Sequence, residues 1–168
     1  MNETPKLMDR APGKPVVKFK KLEPTAVIPT FAKDGDAGLD LTATWFEKKD
    51  FTIIAHTGIS MELPPGYEAQ VRCRSGLAVK GVTIVNSPGT IDQGYRGEIM
   101  VIIGSVSGIA PSIYGTRYEA NCASTSLRAG DRIAQLVISK LDPFKIEEVE
   151  DLDESTERGA GGMGSTGA

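Results

Sequence analysis

Histidine is all but missing from this chain of 168 residues, where His56 is the only one. A His-ligated metal centre or a Ser-His-Asp triad would have to be assembled around that single ring, and its Ala55-His56-Thr57-Gly58 setting reads as an exposed strand end. Acid–base chemistry therefore falls to carboxylates. Asp36, Asp40, Asp92 and Asp131 each stand beside glycine or at a strand end, where a carboxylate can face a cleft. Cysteine is scarce too: Cys73 and Cys122 are too few for a disulfide framework and lack metal-ligand spacing, which predicts two reduced thiols. No surplus of positive charge exists, since 19 Lys+Arg against 22 Asp+Glu give −3, so direct nucleic-acid binding is not expected. A small anion needs only two or three local donors and stays open.

Long hydrophobic runs are absent. The longest, Ile99-Met100-Val101-Ile102-Ile103, stops at Gly104, far short of the ~18 residues that cross a bilayer. Met1 to Lys14 is polar, contains Pro and Gly and has no apolar h-region, so residues 1–15 read as a flexible tail and not an export signal. Together these predict a cytoplasmic protein without a membrane partner, or a nuclear or organellar one in a eukaryote. Gly 19 plus Pro 10 make 29 of 168 residues, too few for a low-complexity chain but enough for many turns. The length suits one domain spanning residues 1–168.

What is present is short alternation between Gly and Pro breaks. In Ala69-Gln70-Val71-Arg72-Cys73-Arg74 the apolar and polar side chains alternate with period two, so both arginines face one way. Ile59 to Leu63, closed by Pro64-Pro65-Gly66, and Leu39 to Ala43 follow the same rule. Val16–Leu22, Phe51–Ala55, Val82–Val85, Gly97–Ile103 and Ile133–Ser139 are further strand candidates. Helical spacing is confined to the few residues around Ser75 to Lys80. The chain is predicted to be all-β, a sandwich or barrel. Gly104 to Ser126 lacks clean alternation and reads as a long hairpin excursion, and Arg158 to Gly167 carries five glycines in ten positions.

Three segments carry chemistry. Ile91-Asp92-Gln93-Gly94-Tyr95-Arg96-Gly97 sets an acid and an aromatic three apart in a turn, which serves either as a plain turn or as a hairpin offering backbone groups to a planar ring. Arg74-Ser75-Gly76 after a strand supplies a guanidinium fork, a hydroxyl and a glycine, the components of a phosphate nest, though many turns share them. The glycine-rich end repeats those components with Arg158, Ser165 and Thr166, or is simply a loose terminus.

Taken in order, these segments resemble the five motifs of the trimeric dUTPases, the deoxyuridine triphosphate nucleotidohydrolases: Asp36-Ala37-Gly38-Leu39-Asp40-Leu41, Arg74-Ser75-Gly76-Leu77-Ala78, Asn86 through Ile99, Gly130-Asp131-Arg132-Ile133-Ala134-Gln135-Leu136, and Arg158 through Gly167. The resemblance implies a jelly-roll-like β-barrel assembled as a homotrimer with shared active sites. It implies hydrolysis of dUTP to dUMP and pyrophosphate, which limits uracil in DNA and supplies dUMP for dTMP synthesis. By the same resemblance Asp92 activates the water that attacks the α-phosphorus, and Tyr95 lies under the deoxyribose. Asn86, Thr90, Ile91 and Met100 surround uracil. Arg74, Ser75, Gly76, Gln135, Arg158, Gly164, Ser165 and Thr166 hold the phosphates, and residues 156–168 form a lid arm. Mg²⁺ is expected on the triphosphate oxygens and water, with Asp40 in its outer shell and no direct protein ligand. Met163 stands where the family usually has an aromatic residue against uracil, Cys73 where proline is common, and the 104–126 excursion is longer than usual.

Two other functions remain in view. A dCTP deaminase relative would share the barrel, but that family lacks the complete fifth motif and deaminates with a glutamate that has no placed counterpart here. A regulatory nucleotide binder would use the excursion as its partner surface, yet a pure binder needs no water-activating carboxylate at Asp92.

Overall fold

Period-two alternation becomes strands in a computed structural model that describes residues 13–106, 112, 119–122, 125–153, 155–156 and 159. In chain order these are β1 (Lys18–Lys21), β2 (Gly38–Thr42), β3 (Trp45–Lys49), β4 (Thr52–His56), β5 (Ile59–Glu62) and β6 (Tyr67–Arg72). There follow the single-turn helix α1 (Ser75–Ala78), β7 (Val82–Ile84), β8 (Gly89–Ile91), β9 (Met100–Ser105), β10 (Glu119–Cys122), β11 (Thr125–Arg128) and β12 (Arg132–Lys140). Two four-stranded antiparallel sheets, β2-β12-β6-β8 and β3-β4-β9-β7, are joined by the pairs β1-β5 and β10-β11. Leu39, Leu41, Val71 and Leu136 from the first sheet and Phe46, Ile53, Val101 and Ile103 from the second are buried in one hydrophobic cluster. Each such side chain contributes about 1.5–3 kcal/mol by leaving water. The architecture is all-β, as the turn spacing predicts, and jelly-roll-like, as the family resemblance implies.

Burying one face of each strand leaves the other for function. On β12, Ala134 and Leu136 are buried while Gln135 and Val137 are only partly so, and Gln135 lies opposite Asp40 on β2 and Arg72 on β6. A register shift between Arg132 and Ala134 interrupts this alternation. Strict alternation would send Arg132 inward with Ala134; the extra residue sends Ile133 into the core and turns Arg132 out toward Asp40.

Several boundaries differ from the sequence reading. The strand expected from Gly97 starts at Met100, because Glu98 and Ile99 are committed to contacts with residues 57–59. Phe51 belongs to the β3–β4 turn, 82% exposed beside Asp50 at φ 29°, so β4 starts at Thr52. Strands β3 and β8 are additions; one is mostly charged after Phe46 and the other is three residues long, so neither alternates clearly. The excursion expected over 104–126 is more regular at its end, where Ala120 and Cys122 of β10 are buried and β10 pairs with β11.

Candidate active site

Two clefts gather the polar residues that the sequence singles out, and no residue lines both. The first, about 500 Å³, lies between β8, the turn after it and the outer face of β4 and β9; Asn86, Thr90, Ile91, Asp92, Tyr95 and Met100 line it. Among the described residues β8 is the edge of its sheet and pairs only with β6, so its other side presents backbone groups as a further strand would meet them. The turn is closed by Tyr95 N–H donating to Asp92 O at 3.0 Å. Its tip is held from below by Gly66 N–H donating to Gln93 Oε1 at 2.9 Å, and Arg96 Nη1 donates to Gln93 O at 2.8 Å. Tyr95 Oη donates to Glu98 O at 2.9 Å, laying the ring over Gly97, where any Cβ would collide with the phenol. The aromatic face, the acid and the edge strand thus share one recess.

The second cleft, about 550 Å³, lies on the outward face of β2, β12 and β6 and contains Asp36, Asp40, Arg72, Arg74, Ser75, Gly76, Arg132 and Gln135 among its walls. Asp40 Oδ1 meets Arg74 Nε at 3.1 Å and Oδ2 meets Arg132 Nη1 at 2.8 Å, while Arg74 Nη1 donates to Arg132 O at 2.8 Å. One carboxylate therefore holds two guanidinium groups, fixing their planes and leaving other N–H groups for an anion. Gln135 crosses above Gly38, where a Cβ would stand 2.6 Å from its Oε1. Gly38 is the seat that admits this amide.

Strand β6 stands between the clefts. Val71 lines the first and Arg72 the second, and successive strand side chains point to opposite faces. Within one chain, then, Asp92 and Tyr95 are grouped on one side of the sheet and Arg74, Gln135 and Asp40 on the other. Arg158, Met163, Gly164, Ser165 and Thr166 lie outside the described residues, as do 1–12 of the expected tail and most of the expected lid arm.

Comparison with known proteins sets this geometry in a family. The dUTPase family model matches residues 25–113 and 116–167. The chain belongs to the dUTPase family. It is 44% identical over 156 residues to the deoxyuridine 5'-triphosphate nucleotidohydrolase of Wolinella succinogenes, covering 90% of this chain and 93% of that one. To the protein of the same name from Crocosphaera subtropica it is 46% identical over 154 residues, covering 90% and 98%. Among solved structures it resembles the dUTPase of Staphylococcus bacteriophage 80alpha with dUpNHpp, at TM-score 0.71 and 26% identity, over 91% of this chain and 99% of that one.

Two expectations need correction against this dUTPase fold, that Asp131 faces a cleft and that His56 is exposed. Asp131 closes the β11–β12 turn, accepting Arg128 N–H at 2.8 Å, and lines neither cleft. Asp36 reaches the second cleft but accepts Lys33 N–H at 2.8 Å, so part of its work is to make a turn. His56 is a strand end, as expected, but it is buried, stacked on Trp45 and 2.9 Å from Glu98. Arg72 and Arg132 line the second cleft without appearing among the sequence-derived site residues. Arg72 was legible from alternation with Arg74, whereas Arg132 depends on the bulge. Among the described residues no group of three or more His, Cys, Asp or Glu side chains is arranged to hold a metal.

Proposed function

We propose that this dUTPase-family chain hydrolyses dUTP to dUMP and pyrophosphate, and that the nucleotide is read by the first cleft of one copy and the second cleft of another. The observation that carries this is the division of labour across β6: acid and aromatic on one side, guanidinium groups, hydroxyl and amide on the other. The described lining of the first cleft holds no guanidinium group, and its one cation, Lys49, is paired with Glu47 at 2.6 Å, so a triphosphate beside Asp92 draws its arginines from another copy. An assembly of three copies supplies them, each copy lending its second cleft to a neighbour. The segment 141–153 supports assembly, because it has no helix or strand and leaves Phe144 at 84% and Ile146 at 91% exposure, with Val149 and Leu152 also outside.

Asp92 is the base that orients and deprotonates water for attack on the α-phosphorus, with pyrophosphate leaving in line. The free edge at Thr90 and Ile91, with Asn86 and Met100, reads the uracil edge; cytosine would leave buried groups unpaired. Tyr95 packs against the deoxyribose and leaves no room for a 2′-hydroxyl. Arg74, Ser75, Gly76 and Gln135 take the phosphates, joined by Arg158, Gly164, Ser165 and Thr166, with Met163 against the base. Residues 156–168 close as the lid. Mg²⁺ neutralises the triphosphate when bound. The chain's donor set suits a substrate-held ion, since both Asp40 oxygens already engage arginines, so Asp40 serves an outer-shell role through water. The product supplies dUMP for dTMP synthesis and the reaction keeps uracil out of DNA, a role suited to the cytoplasm. No helix among the described residues is long and apolar enough to cross a membrane.

The test incubates the full chain and Mg²⁺ separately with dUTP, dCTP, dTTP and UTP, and identifies the nucleotide product. Formation of dUMP and pyrophosphate from dUTP alone is the expected result. Deamination of dCTP, or tight dUTP binding without turnover, would overturn the reading.

A further inference from the structure

The single histidine and the glutamate it meets are not used by the reaction as proposed, yet Glu98 lines the first cleft beside Tyr95 and His56 is buried behind it. His56 ends β4 directly across from Trp45 on β3 and Met100 on β9. Its ring is stacked on the Trp45 indole, centroids 3.7 Å apart and planes within 7°, which fixes the imidazole plane. Nδ1 lies 2.9 Å from Glu98 Oε2, and Glu98 Oε1 accepts Gly58 N–H at 2.8 Å. The same residue's carbonyl accepts the Tyr95 hydroxyl. Glu98 is thus held at both carboxylate oxygens by the end of β4 while its backbone holds the ring that faces the nucleoside.

The neighbouring bonds make this anchor directional. Thr57 Oγ1 donates to Ile99 O at 2.5 Å and Ile99 N–H donates to Ile59 O at 2.8 Å, so residue 99 is secured independently of His56. At the other end the Gln93 bond to Gly66 secures the turn tip. Between these fixed points, His56 and Gly58 N–H hold the two carboxylate oxygens of Glu98, whose carbonyl holds the Tyr95 hydroxyl. On the far side of the ring, Nε2 is buried with no hydrogen-bond partner among the described residues and stands 3.7 Å from Glu47 Oε2, while Glu47 Oε1 pairs with Lys49 at 2.6 Å. A carboxylate only accepts, so the 2.9 Å contact requires a proton on Nδ1, which donates to Glu98.

We propose that His56 is a positioning residue for sugar selection: its Nδ1–H donates to Glu98, and Glu98 in turn holds the Tyr95 ring at the depth that admits a deoxyribose and refuses a ribose. This rests on the reading above that Tyr95 meets the sugar. His56 touches neither substrate nor the reacting atoms; it acts through Glu98.

The experiment compares kcat and KM for dUTP and UTP in the full chain and in variants checked for folding by thermal midpoint. His56→Phe keeps the stack on Trp45 but loses the donor, and His56→Asn loses the stack but keeps an N–H near the Nδ1 position. The dUTP-over-UTP ratio of kcat/KM should fall about tenfold in His56→Phe, as misplacement by a fraction of an ångström can cause, and recover most of its value in His56→Asn. In a Tyr95→Phe background, His56→Phe should add little further loss, because the chain of contacts is already cut. If His56→Phe does not fold, Glu98→Gln reads the same contact and should show the same loss. An unchanged ratio in folded His56→Phe or Glu98→Gln, an Asn variant as impaired as the Phe variant, or full additivity with Tyr95→Phe would overturn the proposal. Failure of the unmodified chain to act on dUTP would instead overturn the functional reading beneath it.

Discussion

The two clefts of this chain are built on opposite principles. The first exploits a sheet edge and a turn, so backbone groups of β8 join the Tyr95 ring and the Asp92 carboxylate in its recognition surface. The second exploits a finished sheet face, where three neighbouring strands place Asp40, Gln135 and Arg72 in a row and a bulge adds Arg132. Backbone donors suit a neutral planar base, which must be told from near-identical bases by the geometry of a few hydrogen bonds. Fixed guanidinium groups suit a multiply charged chain, for which position matters less than charge. Each cleft also seats its key side chain on a glycine: Tyr95 on Gly97, Gln135 on Gly38. The clefts should therefore fail differently.

The largest contrast is chemical. Asp92→Asn should lower kcat by about 10²–10⁴-fold while leaving the affinity for a non-hydrolysable dUTP analogue nearly intact, as expected for loss of a general base. Arg74→Ala should lower kcat/KM by about 10²-fold and weaken that analogue, since a fixed donor to the phosphates is lost and Asp40 keeps only Arg132. Single-turnover rates and analogue titrations separate the two patterns; equal loss of analogue binding in both variants would erase the distinction.

Mixing these two dead variants tests whether the clefts meet between copies. If each site takes its first cleft from one chain and its second from another, equal mixing by joint refolding gives a site with both wild-type halves with probability one half times one half. About a quarter of wild-type activity should then return. A site contained within one chain would recover nothing, because every chain carries one defect.

Smaller effects should follow from the glycine seats. Gly97→Ala forces the phenol aside, and Gly38→Ala sets a methyl 3.2 Å from Gln135 Cβ as well as on its amide. The first should reduce discrimination between dUTP and UTP, about tenfold, with little change in pyrophosphate inhibition; the second should weaken pyrophosphate inhibition several-fold and spare discrimination. Kinetics on both nucleotides, with pyrophosphate as inhibitor, read the crossover. A swap of the two phenotypes would mean that the clefts have been assigned the wrong ligands.

How much of this could be seen in the sequence differs between the clefts for the same reason. Alternation in Ala69–Arg74 and Leu39–Ala43 reveals which way Asp40, Arg72 and Arg74 face, because regular strands convert position into direction. Arg132 escapes, since one inserted residue reverses its direction and no local residue type marks the bulge. The Asp92–Tyr95 turn is legible as a turn from Asp and Gly, but its role as one wall of a cleft depends on β8 being an edge, a fact about the whole sheet. His56 is misjudged as exposed because Ala55 and Thr57-Gly58 give no hint of the Trp45 ring, which arrives from another strand. The separation of the clefts by β6 is a property of topology and could not be read from motif order.

The gentlest way to sharpen the comparison uses the two thiols. Cys122 is buried in the core, its Sγ–H donating to Gly104 O at 2.7 Å, and burial pushes its thiol up from the ordinary range. Cys73 is half-buried beside the second cleft; its sulfur accepts Ile84 N–H at 3.2 Å and its carbonyl accepts Gln135 Nε2 at 3.4 Å. A raised value means that Cys122 holds less thiolate than an ordinary thiol at any pH between the two values. Its alkylation by iodoacetamide at about pH 8 should accordingly run about tenfold or more behind that of Cys73. Modifying Cys73 displaces the Ile84 bond and, through the carbonyl, loosens Gln135. The singly alkylated protein should show a KM for dUTP raised a few-fold and an unchanged dUTP-over-UTP ratio, because the first cleft is on the other side of β6. Peptide mapping of the alkylation order followed by kinetics on both nucleotides checks the prediction. A loss of sugar discrimination on Cys73 modification would show that the strand between the clefts transmits strain and does not insulate them.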